Sequence, residues 1–301
     1  MFTRNATLIL YTIIVVMISL TYSFEIGISR SALRRTATKM FSVVESSSEK
    51  GVSEPNCKVS GLVPILKPTN WTSQDVVAFV RKTLEMEAKN RLGTKKRPKI
   101  KVGHGGTLDP LATGVLVLGI GKGTKVMGSY LSGPKSYVAE FSTLYETDTL
   151  DTEGKVVKTS EKDLVLDEKV LETFRGEIMQ KPPMYSALRK DGKRLYELAR
   201  EGKDYEDVDV PERPVVVHEL RVEGTDDLRK FKMECVVGGG TYIRSLIRDI
   251  AYAHETVGTM TMLERTVAGG FGIEDCISLR CSAEEIYEKA REVNEEKGIE
   301  F

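Results

Sequence analysis

Cysteine and histidine are both scarce in this sequence. Its 301 residues include four cysteines and three histidines. The cysteines form no Cys-x-x-Cys pair and have no histidine close to them in the chain; they stand at positions 57, 235, 276 and 281. The sequence therefore predicts no zinc site or other metal centre. Thiols scattered in this way are typical of a protein in a reducing compartment.

Net charge is absent as well, since 44 lysines and arginines balance 44 aspartates and glutamates. Overall charge therefore gives no indication of a polyanionic partner. The distribution is uneven, because residues 81–101 carry nine basic side chains against two glutamates: Arg81, Lys82, Lys89, Arg91, Lys95, Lys96, Arg97, Lys99 and Lys101. Such a cluster is compatible with phosphate binding on one face, and equally with a solvated connection between two elements.

The composition of residues 1–57 is that of a targeting leader rather than of a folded domain. Residues 6–24 carry no charged side chain, and residues 26–53 combine basic groups with many serines and threonines. A hydrophobic signal followed by a transit-like segment predicts delivery to a plastid. A mitochondrion is the alternative, translation from Met40 would leave the protein in the cytoplasm, and an uncleaved leader would tether it to a membrane.

The rest of the chain mixes strand and helix signals. Thr72 with Asp75 three residues later is a helix-start pattern, and the apolar spacing that follows predicts a helix from 73 into the high 80s. Further helices are expected near 167–175, over 243–254 and from 283 onward. Strands are expected at 61–66, 115–118, 137–141, 155–158, 215–222, 231–237 and 260–267. This mixture predicts an α+β fold with a substantial mixed sheet.

Residues 103–125 form a glycine-rich segment that contains His104 and Asp109. Seven of these 23 residues are glycine, which lets backbone approach a ligand closely. A phosphate-binding P-loop is excluded, because Gly123 follows Lys122 where serine or threonine is required. The segment can carry chemistry on a rigid scaffold, or Asp109 and Pro110 can simply start a turn. The local residues leave both interpretations open.

A second candidate is the segment GTYIR at 240–244, which places Arg244 at the start of a predicted helix. A cation there is disfavoured by the helix dipole. A carboxylate partner would explain it, since arginine stays charged and offers a planar pair of donors. An unpaired surface arginine is the alternative.

Five separated blocks of this sequence resemble the TruB family of tRNA pseudouridine synthases. They are LKP at 66–68, GHGGTLDPLATGVL at 103–116, KSY at 135–137, MYSAL and GKRLYELAR within 184–200, and GTYIRSL at 240–246. In order and spacing they cover about 60–270. The resemblance implies the pseudouridine synthase fold over 58–281, with a large mixed, mostly antiparallel sheet flanked by helices. It also implies a thumb-like insertion at 177–205.

The same resemblance implies a reaction that needs no cofactor and no metal. The enzyme would cut the glycosidic bond of the T-loop uridine at tRNA position 55, turn the base and rejoin it through carbon 5. Asp109 is then the essential carboxylate, which attacks the ribose or the base or removes a sugar proton. By resemblance Arg244 is its partner, and a paired arginine favours the ionised form of a carboxylate.

The resemblance implies several contacts with the flipped nucleotide. Tyr137 would stack on the uracil, where aromatic stacking is worth roughly 1–3 kcal/mol per base, and would assist proton removal at carbon 5. Tyr242 would form a second wall of the pocket, and His104 would fill the space that the base leaves. The remaining expected substrate-binding residues are Lys67, Thr107 and Leu263.

The expected partner is the T-stem-loop of tRNA, bound by a monomer, and mRNA stays open as a further substrate. Lys190, Lys193 and Arg194 of the thumb-like insertion could meet phosphates. An acidic helix is expected at 282–301, with no C-terminal RNA-binding PUA domain after it.

Two departures from the family pattern stand out. Glu264 replaces a common basic residue, which would weaken one phosphate contact, and Gly238 with Gly239 replaces a more polar pair, which would loosen a turn. An RNA-folding protein that keeps the pocket without depending on turnover is the alternative function, although the intact set Asp109, Tyr137 and Arg244 favours the enzyme.

Overall fold

The computed structural model describes residues 59–301. The leader predicted for 1–57 lies outside these described residues. Within residues 59–301, no helix has the length and apolar character needed to cross a membrane.

The described chain contains six α-helices and fourteen strands. The helices are α1 (Ser73–Leu92), α2 (Met127–Ser132), α3 (Glu168–Glu172), α4 (Leu195–Arg200), α5 (Ile243–Ala253) and α6 (Ala283–Glu296), with a 3-10 turn at Gly121–Val126. The strands are β1 (Gly61–Lys67), β2 (Val102–His104), β3 (Thr113–Ile120), β4 (Lys135–Ser142), β5 (Tyr145–Thr147), β6 (Val156–Thr159), β7 (Gly176–Gln180), β8 (Arg189–Lys190), β9 (Lys193–Arg194), β10 (Arg213–Gly224), β11 (Lys230–Val237), β12 (Thr259–Ala268), β13 (Phe271–Gly272) and β14 (Ile277–Ser278).

Ten of these strands form one sheet. Its order is β14-β1-β3-β12-β4-β11-β10-β7, with β2 paired to β3 and β13 paired to β12. Only the β1–β14 and β3–β12 pairs are parallel; the other neighbours are antiparallel. The predicted mixed, mostly antiparallel sheet is therefore confirmed. Because β12 enters between β3 and β4, it joins segments that are distant in the sequence.

The continuous apolar run of β3 is explained by burial on both of its faces. Leu116 and Leu118 pack with α1 and α6 in one core cluster, whereas Val115 and Val117 pack with α2 and the β12–β13 hairpin in another. Successive side chains of a strand point to opposite faces, so a strand covered on both sides needs no polar alternation.

The main core lies where α5 packs on β4, β10, β11 and β12. Tyr137, Ala139 and Phe141 point into this core from β4, at the alternate positions that the sequence predicted. Facing them, Leu246, Ile247 and Ile250 are fully buried and form the apolar stripe of α5. The stripe fixes α5 against the sheet, and so fixes the direction of Arg244 at its start.

Helix α1 begins as the sequence predicted. Thr72 and Asp75 form a reciprocal capping box, and the helix ends at Gly93 in the left-handed conformation. The acidic C-terminal helix is shorter than the predicted 282–301, because Ser282 is its N-cap and the helix ends at Glu296.

The thumb segment, residues 181–212 between β7 and β10, has its own small core. It contains the β8–β9 hairpin and α4, and the buried residues of this core are Met184, Leu195, Leu198, Val208 and Val210. The predicted start of the insertion at 177 is wrong, since residues 177–180 lie in β7 and pair with β10 in the main sheet. The sequence did not predict this edge strand, because β7 is largely exposed and therefore lacks a clear apolar pattern.

Candidate active site

Asp109 lies in the loop between β2 and β3, and this loop is held from two sides. On one side, the Ser73 hydroxyl at the start of α1 accepts a hydrogen bond from the Leu108 amide at 2.7 Å and donates to the Leu108 carbonyl at 3.0 Å. On the other, the Asn70 amide donates to the Pro110 carbonyl at 2.9 Å. The Asp109 side chain between these anchors is 31% exposed, so it is fixed and yet accessible.

Arg244 meets Asp109 from the buried side of the loop. Its Nε lies 2.9 Å from Oδ2 of Asp109, and its side chain is only 5% exposed. The contact is an ion pair without good hydrogen-bond alignment. Nη1 donates to the Thr149 carbonyl at 2.6 Å, and Nη2 donates to the Tyr185 carbonyl at 3.0 Å. The carboxylate partner expected for an arginine at the start of a helix is thus present.

Asp151 is a second carboxylate beside Arg244 that sequence reasoning missed. Its Oδ2 lies 3.7 Å from Nη1 of Arg244, and both side chains are 5% exposed. The Thr149 hydroxyl and the Glu153 amide donate to Oδ1 at 2.6 and 3.1 Å. Arg244 therefore lies between two carboxylates, and only the one on Asp109 is accessible. No distinctive spacing around residue 151 pointed to this role.

Tyr137 is 8% exposed and lies in the main core. Its direct neighbour across the sheet is Arg265 of β12. Burial raises the pKa of Tyr137, and the charge and hydrogen bond of Arg265 oppose that rise. Sequence reasoning did not single out Arg265, because a lone arginine in a strand carries no local signal of its partners.

Two lysines around the site are buried and donate to backbone carbonyls. Lys67, expected to bind substrate, is fully buried, and its Nζ donates to the carbonyls of Pro68, Trp71 and Pro110 at 2.8, 2.5 and 3.3 Å. In the structure Lys67 thus joins the β1–α1 connection to Pro110 of the Asp109 loop, and its contact with the substrate stays a prediction. Burial lowers the pKa of Lys67 to about 8, although the Asp109 carboxylate acts in the opposite direction.

Lys135 makes a similar set of contacts. Its Nζ donates to the carbonyls of Tyr130, Leu131 and Gly133, and burial together with the charge of Arg265 lowers its pKa to about 8. It fastens the end of α2 to the start of β4.

His104 and Thr107 flank the loop on its accessible side. His104 is half-buried, and its Nδ1 accepts a long hydrogen bond of 3.4 Å from the Gly106 amide. Burial lowers the pKa of His104, and the charge of Arg265 acts in the same direction. The neutral imidazole is therefore favoured at pH 7, which suits a space-filling role better than an acid. The Thr107 side chain is exposed.

Tyr242 is the N-cap residue of α5 and is half-buried. Gln180 fixes its backbone, accepting from the Tyr242 amide at 2.8 Å and donating to its carbonyl at 3.2 Å. The Arg213 guanidinium lies 5.8 Å from the centre of its ring. Leu263, by contrast, is 5% exposed and belongs to the main core.

The glycine pair before this block tightens the turn instead of loosening it. A Cβ atom on Gly239 would lie 2.5 Å from the Leu131 carbonyl oxygen, and the Gly239 amide donates to the Ser132 carbonyl at 3.2 Å. The expectation of a looser turn is wrong, because only glycine permits this approach to the end of α2.

Several basic residues considered for RNA contact already have acidic partners. Arg91 pairs with Glu87 and with Glu284 of α6. In the thumb segment, Lys193 pairs with Glu201 at 2.7 Å and Lys190 with Asp209 at 3.5 Å. The exposed basic residues of the connection before β2 are Lys95, Lys96, Arg97, Lys99 and Lys101, and these extend toward His104 in sequence.

A cavity of about 1020 Å³ separates the thumb segment from the body. Its walls include Leu150, Tyr185 and Arg248, but Asp109 is not part of its lining. Tyr185 connects the two regions, since its carbonyl accepts from Arg244. The cavity leaves room between the thumb segment and the body beside the Asp109–Arg244 pair.

Known proteins share both the sequence pattern and the fold. A family described as TruB family pseudouridylate synthase (N terminal domain) matches residues 89–243. The tRNA pseudouridine synthase B of Caldanaerobacter subterraneus subsp. tengcongensis is 40% identical over 247 residues, which are 81% of this chain and 80% of that relative. Pseudouridylate synthase TRUB1 of Mus musculus is 41% identical over 71% of this chain and 64% of that relative.

Among solved structures, a chain of a Cbf5-Nop10-Gar1 complex superposes with a TM-score of 0.52 and 29% identity, over 84% of this chain and 60% of that chain. The mixed sheet and the Asp109 loop, together with these relatives, define a pseudouridine synthase, an isomerase. The chain belongs to the TruB family of pseudouridylate synthases.

Proposed function

We propose that the protein converts the T-loop uridine of tRNA, at position 55, to pseudouridine. The observation that supports this most directly is the 2.9 Å ion pair between Asp109 and Arg244. It presents an accessible carboxylate whose guanidinium partner lies on the protein side. Relatives named tRNA pseudouridine synthase B support tRNA as the substrate.

The reaction needs the target nucleotide outside its stack, because a stacked base hides the glycosidic bond. The bond from N1 of the base to the sugar breaks, the base turns, and a bond from carbon 5 forms. Carbon 5 then loses its proton and N1 gains one, so atoms balance without a cofactor. Asp109 attacks the ribose or the base, or removes a sugar proton, and Arg244 keeps it oriented for each of these roles.

The surrounding side chains would hold the flipped nucleotide. The Tyr137 and Tyr242 rings would contact the flipped base, and the neutral ring of His104 would occupy the space left in the RNA loop. The exposed basic connection at 93–101 would meet phosphates, which position an RNA without reading its sequence.

The test uses the full-length chain and an unmodified tRNA transcript, with pseudouridine mapped by position. Wild type should modify position 55. Asp109→Asn should bind the transcript but lose product formation by at least about 1000-fold, because the reacting carboxylate is gone. Asp275→Asn, in the connection after β13, is the matched control and should keep wild-type activity. Normal binding without product by wild type would support an RNA-folding protein instead.

Three finer proposals accompany this one. We propose that the protein acts as a monomer, which light scattering of the purified chain tests. Modification of mRNA is tested by mapping pseudouridine in cellular RNA with and without the active protein. The composition of residues 1–57 supports delivery to a plastid, with a mitochondrion, or the cytoplasm after a start at Met40, as the alternatives. Determination of the mature N-terminus and its compartment separates them, and a terminus beyond residue 24 would exclude a membrane tether.

A further inference from the structure

We propose that Arg265 is a positioning residue that couples Tyr137 to the Asp109 loop. The inference rests on the proposed function, because it concerns how the base-stacking ring and the carboxylate keep their mutual geometry. It adds a residue that neither touches the substrate nor pairs with a carboxylate.

The first argument is the set of partners of Arg265. Its side chain is 1% exposed. Its Nη2 and Nη1 donate to the carbonyls of Gly106 and Thr107 at 3.2 and 3.4 Å, and its Nε donates to the Val115 carbonyl at 2.7 Å. Two of these carbonyls belong to the Asp109 loop, three and two residues before Asp109. The guanidinium thus holds both the loop segment before Asp109 and strand β3 after it.

The second argument is the cost of placing a charge there. Within residues 59–301, Arg265 forms no ion pair with a carboxylate, unlike Arg244. A buried cation without a counter-ion is expensive, and well-packed apolar residues would stabilise the same position better. The presence of Arg265 in the core is therefore explained by the loop and strand that it holds in place. The dipoles of the backbone carbonyls compensate for its buried charge.

The third argument is its place in the sheet. Arg265 lies directly across from Tyr137 on β4 and across from Gly114 on β3. The strands β3 and β12 approach so closely that a Cβ atom on Gly114 would lie 2.2 Å from the Arg265 carbonyl oxygen. Since cross-strand neighbours in a sheet face the same side, Arg265 and Tyr137 share the face that carries the site.

One rigid, planar guanidinium therefore holds the loop carbonyls and faces Tyr137 from the neighbouring strand. Tyr137 and Asp109 lie on different strands and connections, and the anchors at Ser73 and Asn70 do not involve β4 or β12. Arg265 is the contact that relates the loop to the strand facing Tyr137. The positive charge has a second effect on Tyr137. Burial raises the pKa of its phenol and Arg265 opposes the rise, so Arg265 favours the ionised form of Tyr137.

The decisive experiment is a double-mutant cycle on the single-turnover rate with tRNA transcript. Arg265→Met removes the charge and the donors at similar volume and should slow the reaction by about 100-fold, a typical cost of a misplaced reacting group. Arg265→Lys keeps the charge without the planar donors and should be intermediate. In a Tyr137→Phe background, the effect of Arg265→Met should shrink at least about tenfold, because the two residues act as a unit.

Two controls separate positioning from simple stability. Arg175→Met removes another guanidinium that donates to a carbonyl, that of Leu220, and should keep the wild-type rate. Binding of tRNA by Arg265→Met should stay within about threefold of wild type, as expected when only transition-state geometry is lost. If Arg265→Met does not fold, the cycle is run with Arg265→Lys.

A measurement without turnover completes the test. The Tyr137 phenol is titrated by carbon-13 NMR of labelled tyrosine, with Tyr137→Phe identifying its signal, and its pKa should be higher in Arg265→Met than in wild type. Additive effects in the cycle, or an unchanged Tyr137 titration, would overturn the inference. An inactive wild type with the expected titration shift would instead count against the proposed function alone.

Discussion

Asp151 should determine how firmly Arg244 holds Asp109. The variant Asp151→Asn keeps the size of the side chain and an oxygen for the hydrogen bonds from Thr149 and Glu153. It removes the negative charge that lies 3.7 Å from Nη1 of Arg244. The fold should therefore persist while the balance of charges around Arg244 changes.

The expected size of this effect follows from the geometry. Two charges about 4 Å apart interact by about 4 kcal/mol at an effective dielectric constant near 20. Desolvation of both groups cancels much of this energy, and Arg244 keeps Asp109 and two carbonyls as partners. We expect a loss of about 1–3 kcal/mol of transition-state stabilisation, which is about 5- to 150-fold in rate.

The assay is single-turnover pseudouridine formation, with tRNA binding and thermal unfolding measured on the same preparations. The control is Asp148→Asn, a partly exposed aspartate on the same hairpin whose Oδ1 accepts from the Lys155 amide. Asp148→Asn should keep the rate. A wild-type rate for Asp151→Asn, or equal losses in both variants, would refute the reasoning.

Two further predictions concern stability. Gly114→Ala should lower the free energy of unfolding by more than about 3 kcal/mol, because its Cβ atom would collide with the Arg265 backbone and its φ is +108°. Chemical denaturation compares it with Gly128→Ala, whose added atom meets nothing within 4 Å. Equal stabilities of the two variants would contradict the close approach of β3 and β12. Burial lowers the pKa of Lys67 from 10.5 to about 8, so the unfolded chain binds more protons between these pH values and the Lys67 contribution to stability rises with pH there. Urea denaturation across that range should show a flatter pH profile for Lys67→Met, and identical profiles would count against a lowered pKa of Lys67 in the folded protein.

The buried cations show where sequence reasoning reached its limit. Lys67, Lys135 and Arg265 are each at most 6% exposed and are held by backbone carbonyls. The sequence alone does not distinguish a solvated lysine or arginine in a strand from a buried one. Burial of such a residue depends on carbonyls from other segments, as with Arg265 and Gly106, which are 159 positions apart.

The thumb segment gives a second example. The sequence blocks within 184–200 predicted that this segment exists, but they did not predict the residue at which it starts. Residues 177–180 form an edge strand with only one partner strand, β10, and a half-exposed edge strand carries little hydrophobic alternation to identify it.

The sequence by itself determined the family and the strand and helix types near the site, and it predicted Asp109, Tyr137 and Arg244 as a set. Contiguous signals carry all of these: a capping box at Thr72, an apolar run in β3, and motif blocks in a fixed order. Only the tertiary structure decided that Asp151 shares Arg244 with Asp109, that Lys67 faces inward, and that Arg265 lies across from Tyr137. Arg265 reaches the Gly106 carbonyl because β12 inserts between β3 and β4. Asp151 and Lys67 likewise find their partners in segments distant in the sequence, Arg244 and Pro110, which no local pattern encodes.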